Sequence, residues 1–263
     1  MENLLRELGL DRYERQARLK PALLALLPAL VTLAVWQPRV WTALSGLVSL
    51  LAGCGLTFLM AKVARYRGRV VERDLVASYG ARLTEVFLRH RDPSLSAATK
   101  ARYHTFLAAR SFRIPTPDEE RAAPRDADSH YRAAVDWLLE ATRGEKAYPL
   151  VKDELIDYGF RRNLLGLKPV GILVALVVLA AHLWLAAVNL GGDETRFWTA
   201  TAVAIAMAGV VAAWTFVVRM PFLEDASRSY AIRLLAACDV IAAAEMVKPQ
   251  KTGVARKAAA TAV

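Results

Sequence analysis

Apolar residues in this chain gather into four runs, Pro21–Trp36, Trp41–Ala61, Pro169–Leu190 and Phe197–Val218, and none of them contains Asp, Glu, Lys or Arg. A helix needs about 20 largely apolar residues to cross the hydrocarbon core of a bilayer. The last three runs meet that length; the first is shorter and carries Pro28, but Leu19 and Gln37 can extend it. Helices of a water-soluble bundle keep a polar face, and these runs have none. The pattern predicts an all-α membrane protein with four transmembrane helices in two hairpins.

Between the hairpins the pattern changes to apolar positions three and four apart, the helical period. Within Arg69–His90 these are Val70, Leu75, Leu83, Val86 and Phe87. Ser96 is placed to cap a helix carrying Tyr103, Phe106 and Leu107. In "TPDEE", Thr116 as cap, Pro117 at the first position and acids in the first turn form a strong start signal. Pro124 is expected to stop that helix, and Asp128 to start the next, with Tyr131, Val135, Leu138 and Leu139 on one face. Pro149 opens a last helix with Leu150, Val151, Leu155 and Tyr158. No segment alternates like a strand. The expected order is an amphipathic N-terminal helix (1–20), a first hairpin (21–61), a cytoplasmic helical insert (62–168), a second hairpin (169–218), a cytoplasmic helix (219–246) and a disordered tail (247–263).

Charge orients this arrangement. The chain of 263 residues is 55% hydrophobic yet has a net charge of +10. The basic residues flank the apolar runs: Arg12, Arg15, Arg18 and Lys20 before the first, Lys62, Arg65, Arg67 and Arg69 after the second, Arg161, Arg162 and Lys168 before the third, Arg219 after the fourth. The short connections hold only Arg39 and Arg196. Cytoplasmic flanks are enriched in Lys and Arg, so both termini and the insert are expected in the cytoplasm. Trp36, Trp41 and Trp198 fall at the outer ends, where indole favours the interface. No cleavable signal is visible, and Cys54 and Cys238 are not placed to pair. The flanks also predict attraction to anionic lipid headgroups. Nothing beyond topology is needed to explain the basic residues, so nucleic-acid binding is not indicated.

Candidate chemistry is sparse. His90-Arg91-Asp92 has the letters of a kinase catalytic loop but lacks the downstream asparagine, glycine-rich loop and "DFG"; the expectation is solvated Arg89 and Arg91 beside a turn at Asp92-Pro93. The acids Asp118, Glu119, Glu120, Asp126 and Asp128 are expected at helix starts, where negative charge is favoured. His90, His104, His130 and His182 have no metal-ligand spacing. No cofactor or metal is implied, and the chain is read as a non-enzyme.

Three other sets of residues stand out. Ser45, Ser49, Gly53, Thr57 and Ala61 repeat every four residues, and Gly209 with Ala213 gives a shorter version; small residues at this spacing let helices approach closely. His182 and Asn189 are polar groups within the third run, open to an interhelical hydrogen bond or a pore-lining role. After the fourth run, Leu223, Ala226, Tyr230, Leu234, Ala237, Ile241 and Ala244 form an apolar seam, available for packing on the insert or for self-association into a homo-oligomer. The junction "DYGFRRNLLGLKP" is expected to be a helix end coupling insert to span. Tyr158 and Phe160 would anchor at the interface, Arg161 and Arg162 would hold headgroup phosphates or the insert's acids, and Gly166, Lys168 and Pro169 would set the entry angle.

"YGFRRNLLGLKPVGI", with "KARYHTFLAAR" and "HYRAAVDWLLEATR", resembles an uncharacterised family of bacterial inner-membrane proteins, which implies a location but no residue role. The layout of two spans, a helical insert and two spans resembles, in architecture alone, pore-forming effectors of bacterial antiviral defence. It implies a non-enzymatic effector or sensor whose insert receives a cytoplasmic signal or partner and alters membrane permeability. The alternative is a scaffold that recruits a cytoplasmic partner without conducting.

Overall fold

The structure, a computed structural model, describes residues 11–36, 43–144 and 147–260, without side chains at 43–54 and 247–260. Among the described residues every regular element is helical. Helix α1 is Glu14–Trp36, α2 Ala43–Tyr79, α3 Leu83–Val86, α4 Ala97–Ala108, α5 Pro117–Ala122, α6 Pro124–Ala141, α7 Pro149–Val188, α8 Glu194–Phe216 and α9 Met220–Ala260. Three of these, α1, α7 and α8, are long and apolar enough to cross a membrane. The expected second span falls in α2, but most of that run, the segment 43–54, lies outside the described side chains.

Local chemistry accounts for most boundaries. Gly80 at φ 73° ends α2 in the left-handed conformation that glycine accepts most easily. The helix expected to continue to His90 therefore breaks, and α3 restarts after Arg82. Ser96 caps α4 by accepting from the Thr99 amide. Thr116 and Glu119 close a capping box on α5. Pro124 starts α6 instead of only stopping α5. Proline is suited to the first helical position because the missing N–H is not needed there. Helix α9 extends to Ala260, past the point at which the sequence predicts a disordered tail.

The chain divides into two compact units, 1–75 with 156–226, and 76–155 with 227–263. These boundaries fall inside the expected insert at both ends. In the first unit α1, α2, α7 and α8 share a core of Ala22, Ala25, Leu26, Met60, Ala61, Ala64, Leu164, Leu167, Trp214 and Val218. A second cluster, Val178, Val203 and Met207, joins α7 to α8. The opposite faces remain apolar and exposed: Leu23, Leu27 and Leu30 on α1, Leu173, Leu176 and Val177 on α7, Ile205 and Phe216 on α8. In water such continuous apolar surface is costly; against lipid it carries no penalty.

In the second unit Tyr131, Ala134, Val135 and Leu138 of α6 are buried with Leu107 of α4 and the run Leu83–Leu88. Tyr230, Leu234 and Ala237 of α9 are buried in the same unit, and Leu223 and Ala226 in the first. Most of the seam is thus covered by its own chain, and of the residues proposed for association Ile241 stays half-exposed and Ala244 exposed. Two ion pairs hold α4 to α9, Arg102–Asp239 at 2.7 Å and Arg110–Glu245 at 2.5 Å.

Candidate functional site: the polar junction on α7

Residues 157–171 form a polar and glycine-rich stretch in the middle of α7, not a helix end. Its contacts begin with a proline on another helix. Pro21 has no N–H, so the Ala17 carbonyl, four residues earlier, has no α-helical donor there. The first turns of α1, Glu14–Leu19, are π-helical. Asn163 Nδ2 donates to the stranded Ala17 oxygen at 2.6 Å. Asn163 is fully buried. Its Oδ1 has no hydrogen-bond donor and faces Gly68, where an added Cβ would lie 2.2 Å away.

Glycines make this approach possible. A Cβ on Gly166 would sit 2.6 Å from the Gly68 amide nitrogen, so α2 and α7 touch backbone to backbone. A Cβ on Gly159 would meet the Tyr13 hydroxyl at 2.8 Å, and one on Gly171 would enter the Trp214 ring at 2.5 Å. The small residues of α7 thus fit three neighbouring helices.

The arginines are tied to acids within the same unit. Arg162 Nη1 donates to Glu72 Oε2 at 2.8 Å, and the Tyr158 hydroxyl donates to Glu72 Oε1 at 3.0 Å. Arg161 bridges Asp157 at 2.9 Å and Asp225 at 2.8 Å, and lies over the Phe222 ring. Arg18 pairs with Glu14. Tyr158 is buried and Phe160 packs on the main core, so neither is an interface anchor. Lys168 Nζ donates to the carbonyls of Thr215 and Val218 at 3.1 and 2.8 Å, satisfying the open end of α8. Pro169 lies within α7, which remains one helix through it.

Toward the other end of α7, His182 is buried, and its Nδ1 lies 2.8 Å from the Val178 carbonyl. Trp36 Nε1 donates to His182 Nε2 at 2.9 Å. Of the two roles expected for His182, the interhelical bond is the one present. Asn189 donates to its own helix at Leu185. Among the described residues nothing lies within 4 Å of a Cβ added at Gly209, which supports no close packing against them. Thr57 is half-buried, while Ser45, Ser49 and Gly53 lie outside the described side chains.

In the second unit, the His90-Arg91-Asp92 loop is held from beneath. Arg89 is buried, not solvated, and forms a two-point pair with Asp128 at 2.8 and 2.9 Å. Glu120 is buried and accepts from the His90 amide at 2.8 Å, the Tyr131 hydroxyl at 2.7 Å and the Arg91 guanidinium at 3.2 Å. Of the five acids expected at helix starts, Asp118, Glu119 and Glu120 lie in the first turn of α5, which Glu119 caps, and Asp126 in the first turn of α6. Glu120 also clamps the loop from there, as does Asp128 from farther along α6. Lys100 Nζ donates to the Arg89 carbonyl at 2.6 Å and to that of Asp92. His104 Nε2 reaches the Leu88 carbonyl at 2.8 Å. Lys100 and His104 thus bind main-chain carbonyls, and together with the Arg89–Asp128 and Glu120 contacts they fix the course of the loop. A cavity of about 680 Å³ beside it is lined by His90, Asp92, Leu95, Ser96, Lys100 and His104 among others.

Among the described residues no group of three His, Cys, Asp or Glu side chains is placed to hold a metal ion. No protein-family model, curated protein or solved structure matches the chain. A functional reading therefore rests on geometry and chemistry alone.

The junction residues that sequence reasoning missed are Ala17, Gly68, Glu72, Gly159, Asn163 and Gly171. The signal available was the spacing of Gly159, Asn163 and Gly166, which puts three residues on one face of α7.

Proposed function

We propose that the chain is a four-span inner-membrane effector or sensor, with both termini and the helical unit in the cytoplasm, that changes membrane permeability when that unit receives a signal. The observation that supports this reading is the course of α7. It is one helix of 40 residues, about 60 Å at the usual rise. Its first residues belong to the second unit, and its apolar end reaches Val188. A displacement at its start is carried along a rod locked at mid-length by Asn163, Arg161 and Arg162.

A scaffold that never conducts is the competing reading, and one observation favours it. The described core shared by α1, α2, α7 and α8 is filled by alanine, leucine, methionine, valine and tryptophan, and His182 is closed off by Trp36. A conducting form would then be built between copies of the chain.

The test is membrane potential in cells expressing the full chain, read with a potential-sensitive dye while cytoplasmic stresses are applied. Depolarisation that is lost in R161A/R162A, with the variant still inserted, is the expected result. An unchanged potential under every stress, together with a retained cytoplasmic partner, would favour the scaffold. Cysteine labelling from outside should mark residue 192 and leave residue 111 unmarked; the reverse would overturn the orientation.

A further inference from the structure

Eight basic residues of the first unit fall into two sets. Arg18, Arg161 and Arg162 are neutralised by Glu14, Asp157, Asp225 and Glu72, and Lys168 is spent on the end of α8. Lys20, Lys62, Arg65 and Arg219 are exposed. Among the described residues none of these four has a carboxylate partner.

Their positions are common to one level of the bundle. Lys62 and Arg65 directly follow Ala61 and Ala64, Arg219 follows Val218, and Lys20 is two residues before Ala22; those four small or apolar residues belong to a single core cluster. On the other side of that level the exposed surface is apolar, with Leu23 and Leu24 on α1, Phe58 and Leu59 on α2, and Phe216 and Val217 at the end of α8. Lys62 Nζ lies 4.8 Å from the centre of the Phe58 ring, so its stem follows the apolar belt while its charge remains outside.

We infer that Lys20, Lys62, Arg65 and Arg219 form a collar that binds the headgroups of anionic phospholipids. An unpaired cation beside a lipid-facing apolar belt lies at the depth of the headgroup phosphate, and basic residues there attract anionic lipid. Glu14, Glu72, Asp157 and Asp225 are already engaged by the other arginines. Headgroup recognition therefore belongs to this set and not to Arg161 and Arg162. The inference rests on the reading that α1, α7 and α8 span a bilayer.

The test uses the full chain in vesicles of phosphatidylcholine, with trace spin-labelled phosphatidylglycerol or phosphatidylcholine. The motionally restricted fraction of each label gives the relative affinity. A preference for phosphatidylglycerol of about fivefold is expected in low salt, falling toward unity as salt screens the charge. K20Q/K62Q/R65Q/R219Q should remove most of it, whereas R113Q/R121Q in the second unit should retain it. Equal restriction of both labels by the wild-type chain would overturn the collar while leaving the membrane reading intact. A preference unchanged in the quadruple variant would overturn the assignment to these residues. No restricted lipid at all would overturn the membrane reading beneath both. The wild-type salt dependence keeps the test decisive if the variant fails to insert.

Discussion

Asn163 Nδ2 donates at 2.6 Å to the carbonyl of Ala17, the oxygen that Pro21 leaves without its helical donor. The two features compensate each other across helices, which gives a double-mutant test. Asn163→Ala should destabilise the chain in detergent by about 1–2 kcal/mol, the usual cost of an orphaned buried group. Pro21→Ala restores an N–H at residue 21, and in that background the loss from Asn163→Ala should shrink. Thermal unfolding of the four proteins gives the coupling. Simple additivity would show that the bond carries no energy of its own.

Glycine substitutions should divide by position. Gly166→Ala drives a Cβ to 2.6 Å from the Gly68 nitrogen, where backbone and not a flexible side chain must yield. A loss of about 1–3 kcal/mol is expected, as for other overpacking changes. Gly209→Ala meets none of the described residues within 4 Å and should be neutral or stabilising by up to about 1 kcal/mol, from helix propensity alone. Equal losses at both positions would contradict the backbone contact between α2 and α7.

The contrast also shows what the sequence could convey. Uncharged apolar runs declare helices that can span a bilayer, because composition and length decide that property without reference to partners. Caps at Ser96 and Thr116 were legible for the same reason: donor and acceptor lie within three residues. The insert's acids were one of two expected partners for Arg161 and Arg162, but which distant acid, and the partner of Asn163, were not legible. Glu72 is 90 residues from Arg162, and Ala17 is 146 from Asn163. Nothing local distinguishes an arginine that marks topology from one that pairs with a distant acid. Arg89 was read as solvated on the same local evidence, and Asp128, 39 residues on, reverses that reading.

Trp36 and His182 supply a second coupling test, deeper in the apolar segment. Trp36→Phe keeps the ring volume near its former size but removes the N–H, leaving His182 Nε2 without its donor. Polar pairs between membrane helices couple by about 0.6 kcal/mol on average and up to about 1.7. The cycle with His182→Leu, followed by unfolding in detergent, should fall in that range. A value of zero would mean that the two side chains do not meet in the folded protein.

The second unit should respond to acid in two stages with different owners. Burial pushes the pKa of His104 down; the Leu88 carbonyl raises it, but His90 and Lys100 add to the depression, and Glu120 does not offset them. A base with a depressed folded pKa binds more protons unfolded than folded, so stability must fall as pH drops below the ordinary imidazole value of about 6.5. Glu120 is the opposite type of group. Burial pushes its carboxyl up, but hydrogen bonds from Tyr131, His90 and Arg91 outweigh this and hold it below the usual range. Its stabilisation is present above about pH 4.5 and is lost as pH falls through the depressed value. Hydrogen exchange of the α4 amides in the full chain can follow both stages. His104→Gln keeps a donor for the Leu88 carbonyl but cannot titrate, and should flatten the profile between about pH 7 and 5. Glu120→Gln should leave that stage and remove the more acidic one, with lower protection throughout because the loop has lost its anion. If His104→Gln leaves the first stage unchanged, the assignment of that stage to His104 is overturned.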